Sequence, residues 1–560
     1  MLSFSIVINT LNRGEMLRKT LESFRWLRYE GDFEVIVVNG PSSDCTEEVL
    51  AAWGPELRIG KCDAANISVS RNIGICMARG DIVAFIDDDA IPEPEWLSSL
   101  AEAYDRPEIG GAGGVVYDHT GYNCQFVYST ADRLGNVNWA AEGNMEHLCF
   151  PGSYEFPYLQ GTNASFRRAA LLEIGGFDEE FEYYLDETEV CCRLIDAGYV
   201  IRQLENAWVH HKIAASALRD SLRITRDRYP SLKNKLYFSL KHARGFYTVE
   251  EILEDAEKFR DASMGDMEHH IKAGRIPPSA RERFSQDAER AWRDGIERGL
   301  SGSRELISHE KIELYQGTFR KFEAMGDKES GAIVIVSHDL PGKQKGSAEN
   351  FLWNTAASLG AEGFIVHFIT KGSGNNQVDF ENGVWVHRIL PVQDRLSPEA
   401  EKRGIPRSFW QWSLAALEET RRIAGHREID VVEAPVWDCQ GIAFLLDGDW
   451  PLVSFLSETL HARFVSGQEI GRDGNWIQSF AVPVLAMEKE LVARSDAVRS
   501  IGNPEREDDD ISSGFIFDKE RFYVTHQDPG RLIQERIELY GIAREHFRKR
   551  IEGLSSRIRE

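Results

Sequence analysis

A chain of 560 residues is too long for one hydrophobic core and predicts about two to four domains, with a 42% hydrophobic content that is ordinary for a globular protein. Its formal net charge of −25 argues against a nucleic-acid backbone or an anionic membrane as the main partner, because both need basic surface. An anionic ligand would have to be held by a local cluster of Arg, Lys or backbone N–H groups.

The first hundred or so residues alternate between strand and helix signals. Phe4–Ile8 predicts a buried strand, and "RGEMLRKTLESFRWLR" a helix with Leu17, Leu21 and Phe24 as its inner stripe and Arg28 at helical spacing. Phe33–Val38 predicts the next strand, and "SSDCTEEVLAAW" a helix in which Asp44 and Glu47 have capping-box spacing. "NISVSRNIGICMARG" predicts a third helix stopped by Gly80, and "DIVAFI" a strand running into Asp87, Asp88 and Asp89. This alternation implies a largely parallel α/β sheet, which binds ligands beyond the carboxyl ends of its strands. The aspartates and Asn9–Arg13 fall at two such ends.

Residues 100–215 are less regular. Val190, Leu194 and Ile195 suit the inner side of a short helix ended by Gly198, and the helix dipole alone accounts for Asp186, Glu187 and Glu189 at its start. From about Ala214 to Gly331 the composition turns to charged helical patterns, "VEEILEDAEKF" and "RERFSQDAERAWRDGIERG". His269 and His270 point in different directions on such a helix and do not suit a shared metal. An α/β pattern restarts at Ala332 with "AIVIVS", the loop "PGKQKGS", the helix "AENFLWNTAASLG" and the strands "FIVHFI", "IDVVEAP" and "PLVSFL". After roughly Asn503 the chain is charged and helix-prone, with no third α/β unit.

The three adjacent carboxylates repel one another. They read either as a solvated turn or as a divalent-cation site, and their place at a strand end on the ligand edge favours Mn²⁺ or Mg²⁺. "SRN" (Ser70–Asn72) sits near a helix start that favours phosphate, so Arg71 and Arg13 together suit a nucleoside diphosphate. "GKQKG" is not a P-loop, and neither G-x-S-x-G nor H-E-x-x-H occurs. The eight scattered cysteines read as reduced thiols. The start "MLSFSIVINT" lacks signal-peptide character, and no apolar run approaches the ~20 residues of a membrane span. The expected location is the cytoplasm, with peripheral association at the inner face of the membrane left open.

The stretch from Phe4 to about Ser216 resembles the family 2 glycosyltransferases of the GT-A fold. The pieces that carry it are "INTLNR", "EVIVVNGPSSDCTEEVL", "SRNIGICMARGDIVAFIDDDAIPEPEWL", "LQGTNASFRRAALLEIGGFDEEF", "YYLDETEVCCRLIDAGY" and "NAWVHHKIAAS". The resemblance implies that Thr10, Asn12 and Arg13 line the nucleotide pocket, with Asn39 and Asp44 on a second nucleotide loop. It maps a D-x-D motif to Asp87 and Asp89, with Asp89 first among the metal ligands, Asp87 nearer the ribose and Asp88 against the nucleotide or sugar. Glu187 becomes the general base, with Asp186 as second candidate, where the family usually has Glu-Asp. His210 or His211 matches a family histidine that often ligates the metal, and His210 is the favoured one. Asn39 stands where the family commonly has an aspartate, which leaves the base of the nucleotide open.

Residues after 331 resemble the N-terminal, acceptor-side half of family 4 glycosyltransferases of the GT-B fold, on "VIVSHDLPGKQKGSAENFLWNTAASLGAEGFIVHFIT", "IDVVEAPVWDCQG", "PLVSFLSETL" and "MEKELVARSDAVRSIGNP". The resemblance extends to no donor-binding half, so Lys343, Lys345 and Gly346 are expected to have little to bind as a phosphate site on their own, and the region reads either as part of a truncated, longer bifunctional enzyme or as an acceptor-binding or assembly module. The expected fold class is α/β: a GT-A nucleotide-diphospho-sugar transferase domain (1–216), a helical extension and linker (217–330), a single Rossmann-like half of a GT-B fold (331–505) and a charged tail (506–560). The expected function is metal-dependent, inverting transfer of a sugar from a nucleoside diphosphate sugar to a hydroxyl of a glycan or lipid-linked glycan acceptor, in surface or extracellular polysaccharide synthesis. The competing readings are a non-catalytic glycan-binding or scaffold protein with a decayed transferase domain, and nucleotidyl transfer on a similar sheet. The latter's glycine-rich, Arg- and Lys-containing loop is missing after the first strand. Oligomeric state is not expressed in the sequence.

Overall fold

The computed structural model describes residues 1–559 except 140, 217, 326–330, 341–347, 394–396, 458, 470–471, 502–514, 516–517 and 526–528. It contains two compact units, Met1–Ala324 and Met325–Glu560.

The first unit begins β1 (Phe4–Thr10), α1 (Gly14–Ser23), β2 (Phe33–Asn39), α2 (Thr46–Trp53), β3 (Arg58–Lys61), α3 (Ile67–Met77) and β4 (Ile82–Phe85). β1 and β2 are near-continuous apolar runs because parallel strands covered on both faces have no solvent side to leave polar. β1 pairs in parallel with both β2 and β4, with Thr10 opposite Asn39 and Val7 opposite Phe85. The chain moves outward from β1 through β2 to β3, then returns to β4 on the other side. That reversal opens a crevice beyond the carboxyl ends of β1 and β4.

Local details differ from the sequence expectations. The first helix stops at Ser23 and continues as a single 3₁₀ turn, so Arg28 lies beyond it, although Leu17, Leu21 and Phe24 are buried as the stripe requires. Asp44 does not pair with Glu47 in a capping box. Its carboxylate accepts the N–H groups of Thr46 (3.1 Å) and Gly14 (2.9 Å), tying the starts of α2 and α1 together. α3 is capped by Asn66, which accepts the Val69 N–H, and ends before Gly80. Gly80 serves instead as a close approach: a Cβ there would lie 2.7 Å from the backbone of Phe4 and Ser5.

The unit continues with β5 (Ala90–Pro92), α4 (Trp96–Ala103), β6 (Ile109–Gly113), β7 (Val116–Tyr117), β8 (Cys124–Phe126), β9 (Thr130–Asp132), β10 (Val137–Asn138), β11 (Glu155–Pro157), β12 (Ala164–Arg167), α5 (Arg168–Glu173), α6 (Asp186–Asp196), β13 (Val200–Gln203) and β14 (Val209–His211). β12 runs antiparallel between β4 and β6 and completes a seven-stranded sheet ordered β13-β6-β12-β4-β1-β2-β3. A second sheet, β5-β14-β7-β8, sets β14 antiparallel to β5 with His211 opposite Ala90.

Helices α7 (Tyr229–His242), α8 (Val249–Lys272) and α9 (Ala280–Leu300) belong to this first unit rather than to a separate extension. The reason is apolar burial. Tyr237 and Phe238 of α7 share a core with Phe85, Phe166 and Phe177, and Gly299 of α9 lets Leu240 of α7 come close. A boundary at residue 216 would cut through that core.

The second unit is an eight-stranded sheet of β15 (Ala332–Val336), β16 (Val366–Lys371), β17 (Gln377–Glu381), β18 (Val384–Ile389), β19 (Ile429–Pro435), β20 (Leu452–Leu456), β21 (Ala497–Ile501) and β22 (Phe522–Thr525), ordered β17-β18-β16-β15-β19-β20-β21-β22. Only β17 is antiparallel to its neighbour. The stretch expected as a charged tail supplies β22 and a helix, Pro529–Arg559. Arg536 of that helix is fully buried and donates to Glu433 at 2.7 Å, as does Tyr540, while Arg499 donates to the same carboxylate at 3.0 Å. A pattern that reads Arg as surface hides such a helix. Lys343, Lys345 and Gly346, with the "EREDDD" run, lie outside the described residues.

Candidate active site

A cavity of about 930 Å³ opens at the crevice of the first unit. Asn9, Thr10 and Arg13 enter from the end of β1, Asp87 and Asp88 from the end of β4, Ser70 and Arg71 from α3, and Asp186 and Glu187 from the start of α6. His211 enters from the end of β14.

The pairing of β5 with β14 decides which histidine faces the aspartates. His211 lies opposite Ala90, the residue after Asp89, so its Nε2 stands 3.5 Å from Asp89 Oδ1 and 3.6 Å from Asp87 Oδ2. Neighbouring side chains on a strand point to opposite faces. His210 therefore turns away, bonds Glu93 at 2.9 Å and stacks on Tyr117. This corrects the choice of His210: a doublet in the sequence carries no register.

Asp87, Asp89 and His211 each offer a ligand atom, all within 4.8 Å of one another. The set fits a hard divalent cation that accepts carboxylate and imidazole. Asp89 Oδ1 is buried and faces His211 Nε2 at 3.5 Å and Arg13 at 3.3 Å, contacts longer than a short charge-assisted hydrogen bond. Asp89 Oδ2 accepts the Ala214 N–H at 2.6 Å. Burial opposes ionisation of Asp89, but the bond and charge of His211, with Arg13 and the Ala214 N–H, hold its carboxyl well below the usual range. Burial likewise opposes a charge on His211, yet the bond to Asp89 and the charges of Asp89 and Asp87 raise its pKa. Asp88 differs. Burial, reinforced by Asp89, pushes it up to about 7 against the pull of Arg13.

Both arginines expected at the phosphates are committed to carboxylates. Arg13 bonds Asp88 Oδ1 at 2.9 Å, approaches Asp89 at 3.3 Å and donates to the carbonyls of Ala214 and Ala215. Arg71 is buried, paired with Asp186, and lies 5.1 Å over the Phe177 ring. Asn12, Asn39 and Asp44 do not line the cavity. Asn12, at φ +56°, accepts the Ser43 N–H, and Asn39 accepts from Ser42, so both brace the loops behind the site.

Glu187 keeps the freer position. Its side chain is 20% exposed against 5% for Asp186, its Oε1 accepts a long bond from the Gly161 N–H (3.4 Å), and Arg71 stands 3.8 Å from it. The two residues before α6 have left-handed backbone, Tyr184 at φ +74° and Leu185 at φ +66°. Each costs roughly 1–3 kcal/mol for a non-glycine residue, so the segment that presents Glu187 is held there by its surroundings.

The other side of the cavity is aromatic. Trp139, Tyr158, Tyr183, Tyr184 and Phe259 line it, with Phe259 contributed by α8. None of these rings was singled out from the sequence. Trp139 and Phe259 lie far along the chain from every motif, and only the tertiary fold gathers them.

The crevice beyond the strand ends of a mostly parallel sheet, lined by acid groups and a histidine, is the ligand site expected of an open α/β sheet. The model of glycosyl transferase family 2 matches residues 5–175. Over 223 residues the chain is 31% identical to a glucosyl-dolichyl phosphate glucuronosyltransferase of Haloferax volcanii, covering 37% of this chain and 69% of that protein. It is 28% identical over 236 residues to chondroitin synthase of Escherichia coli, covering 37% of this chain but only 34% of that one. It is 25% identical over 312 residues to validoxylamine A glucosyltransferase of Streptomyces hygroscopicus subsp. limoneus, covering 49% of this chain and 68% of that one. Among solved structures, a mannosyltransferase of Pyrobaculum calidifontis in complex with GDP-Man and Mn²⁺ aligns at 16% identity and a TM-score of 0.34, over 54% of this chain and 88% of that one. The chain belongs to glycosyl transferase family 2 and is a glycosyltransferase. Among the described residues no helix is long and apolar enough to cross a membrane.

Proposed function

We propose that the first unit, read as a GT-A domain, transfers a sugar from a nucleoside diphosphate sugar to a hydroxyl of a glycan or lipid-linked glycan acceptor, with inversion, in surface or extracellular polysaccharide synthesis. The observation that carries this reading is that Asp87 and His211, two members of the Asp87–Asp89–His211 set, line one cavity with Glu187, the more exposed carboxylate of its run. The triad would hold Mn²⁺ or Mg²⁺, which supplies Lewis-acid stabilisation of the departing diphosphate. Thr10 and Ser70 also line the cavity and offer hydroxyl groups to the nucleotide.

The acceptor approaches along the aromatic wall. Its hydroxyl oxygen attacks the anomeric carbon as the bond to the diphosphate oxygen breaks, and the hydroxyl proton passes to a Glu187 carboxylate oxygen. Arg71 neutralises Asp186, so the proton acceptor of the pair is Glu187. The parallel sheet of the second unit supports a Rossmann-like reading, and we assign it an acceptor-binding or assembly role.

The test uses the full chain with Mn²⁺ and a panel of UDP-glucose, UDP-glucuronate, UDP-N-acetylglucosamine and GDP-mannose, reading nucleoside diphosphate release. Glu187→Gln is expected to slow release by about 10²–10⁴-fold while leaving Mn²⁺–nucleotide affinity unchanged. Undiminished release would remove Glu187 from the role of base.

A further inference from the structure

We propose that Asn234, on α7, is a positioning residue for Glu187: its amide clamps the left-handed segment that presents this base. The inference rests on the reading of Glu187 given above.

Asn234 is fully buried. Its Nδ2 donates to the Tyr183 carbonyl at 2.6 Å and to the Tyr184 carbonyl at 3.3 Å. Two carbonyl acceptors on one side fix the orientation of the amide, because the Oδ1 edge would repel both. These carbonyls belong to the peptide units leading into Tyr184 and Leu185, the two left-handed residues, and Glu187 follows two residues later. Side-chain packing alone would not select a backbone region that L-residues avoid, whereas a donor aimed at both carbonyls does.

The neighbours of Asn234 act in the same direction. Lys233 Nζ donates to the Glu180 carbonyl (2.7 Å) and pairs with the Glu180 and Glu182 carboxylates (2.9 and 2.6 Å), anchoring the loop upstream. Tyr237 donates to Asp178 at 2.7 Å. From α8, Phe259 stacks on Tyr184 with ring centroids 5.8 Å apart and planes 21° from parallel. A single helix beyond the family-matched residues thus grips the base loop at three successive points, and of these three α7 side chains Asn234 is the one that hydrogen-bonds the carbonyls leading into the left-handed pair.

A clamp makes a prediction that a packing residue does not. Asn234→Ala is expected to lower kcat for nucleoside diphosphate release about 10–100-fold, in keeping with misplacement of a reacting group by about 1 Å, and to leave Mn²⁺–UDP affinity within about twofold. In a Glu187→Gln background the same substitution is expected to change kcat by less than about twofold, because its effect passes through the base. Amide hydrogen exchange at residues 184–187 is expected to quicken in Asn234→Ala while residues 190–195 of α6 stay protected. Should Asn234→Ala fold poorly, Asn234→Ser retains a donor and is expected to fall between it and the parent chain.

Multiplicative losses in the double variant would overturn the proposal and leave Asn234 a structural residue. So would unchanged exchange at 184–187. If Glu187→Gln abolishes release while Asn234→Ala leaves kcat intact, the clamp fails and the base stands. If Glu187→Gln is silent, the base and the clamp fall together.

Discussion

Replacing each histidine of the 210–211 doublet in turn separates a metal ligand from a structural residue. His211 Nε2 stands 3.5 and 3.6 Å from its two carboxylate partners. Ligands at right angles on a cation with bonds of about 2.1 Å lie about 3 Å apart, so His211 needs to move only about 0.5 Å toward each carboxylate oxygen to share a cation with it. Loss of groups that merely support a metal ligand costs about 10–100-fold in affinity, and removal of a direct ligand falls at the upper end. His211→Ala is therefore expected to weaken Mn²⁺ binding about 100-fold, or ~2.7 kcal/mol at 1.36 kcal/mol per decade. His210→Ala should leave Mn²⁺ affinity unchanged, but it removes the 2.9 Å partner of Glu93, which is 4% exposed. That costs about 1–3 kcal/mol of stability. Titration calorimetry with Mn²⁺ in the presence of UDP reads the first effect, and urea denaturation of the apo protein the second. If His210→Ala weakened Mn²⁺ as much as His211→Ala does, the register of β5 and β14 would be the wrong basis for choosing the ligand.

Two further outcomes concern buried charge. Arg71→Ala strands Asp186 in the cavity wall and is expected to destabilise the first unit by about 3–5 kcal/mol, whereas Arg71→Met combined with Asp186→Leu should recover at least half of that in the same denaturation assay. In the second unit, Glu488 is pushed up to about 7 by burial, against the Leu460 and His461 N–H groups that it accepts. Its ordinary value is about 4.3, so the folded chain holds an extra proton between the two values. Stability is then greatest at low pH and declines as pH rises from about 4.3 to about 7, by a few kcal/mol. Glu488→Gln should flatten that part of the urea-midpoint profile, and an unchanged slope would place the titration elsewhere.

The alternation of buried runs such as "FSIVIN" and "FEVIVV" with amphipathic stretches made the parallel sheet legible, and with it the edge on which Asp87–Asp89 lie. The position of Glu187 in the first turn of a helix was legible as well. Three things were not. Which of two adjacent histidines faces the site depends on strand register, and β14 is only three residues long. Whether Arg13 and Arg71 bind phosphate or carboxylate depends on partners 75 and 115 residues away. Helices α7, α8 and α9 read as an extension because their surfaces are highly charged, yet the faces of α7 that close the core hold Leu236, Tyr237, Phe238 and Leu240 among lysines and an asparagine. Those polar residues look like solvent-facing positions in a pattern and prove to be buried groups with partners.

The arrangement of charge also explains why the chain carries more carboxylates here than the chemistry uses. Two acidic runs border the cavity, Asp87–Asp89 and Asp186–Glu187, and crowding them without compensation would raise every pKa. One arginine serves each run. Arg13 bonds Asp88 more closely than Asp89, and Arg71 takes Asp186 more closely than Glu187. In each run the arginine engages the carboxylate that the proposed chemistry does not use. Asp89 and Asp87 are left to His211 and a cation, and Glu187 to the acceptor proton. On this reading the arginines sort the carboxylates instead of binding the nucleotide, and exchanging Arg13 for lysine should disturb the sorting, because an ammonium lacks the planar fork with which Arg13 reaches Asp88 and the carbonyls of Ala214 and Ala215 together.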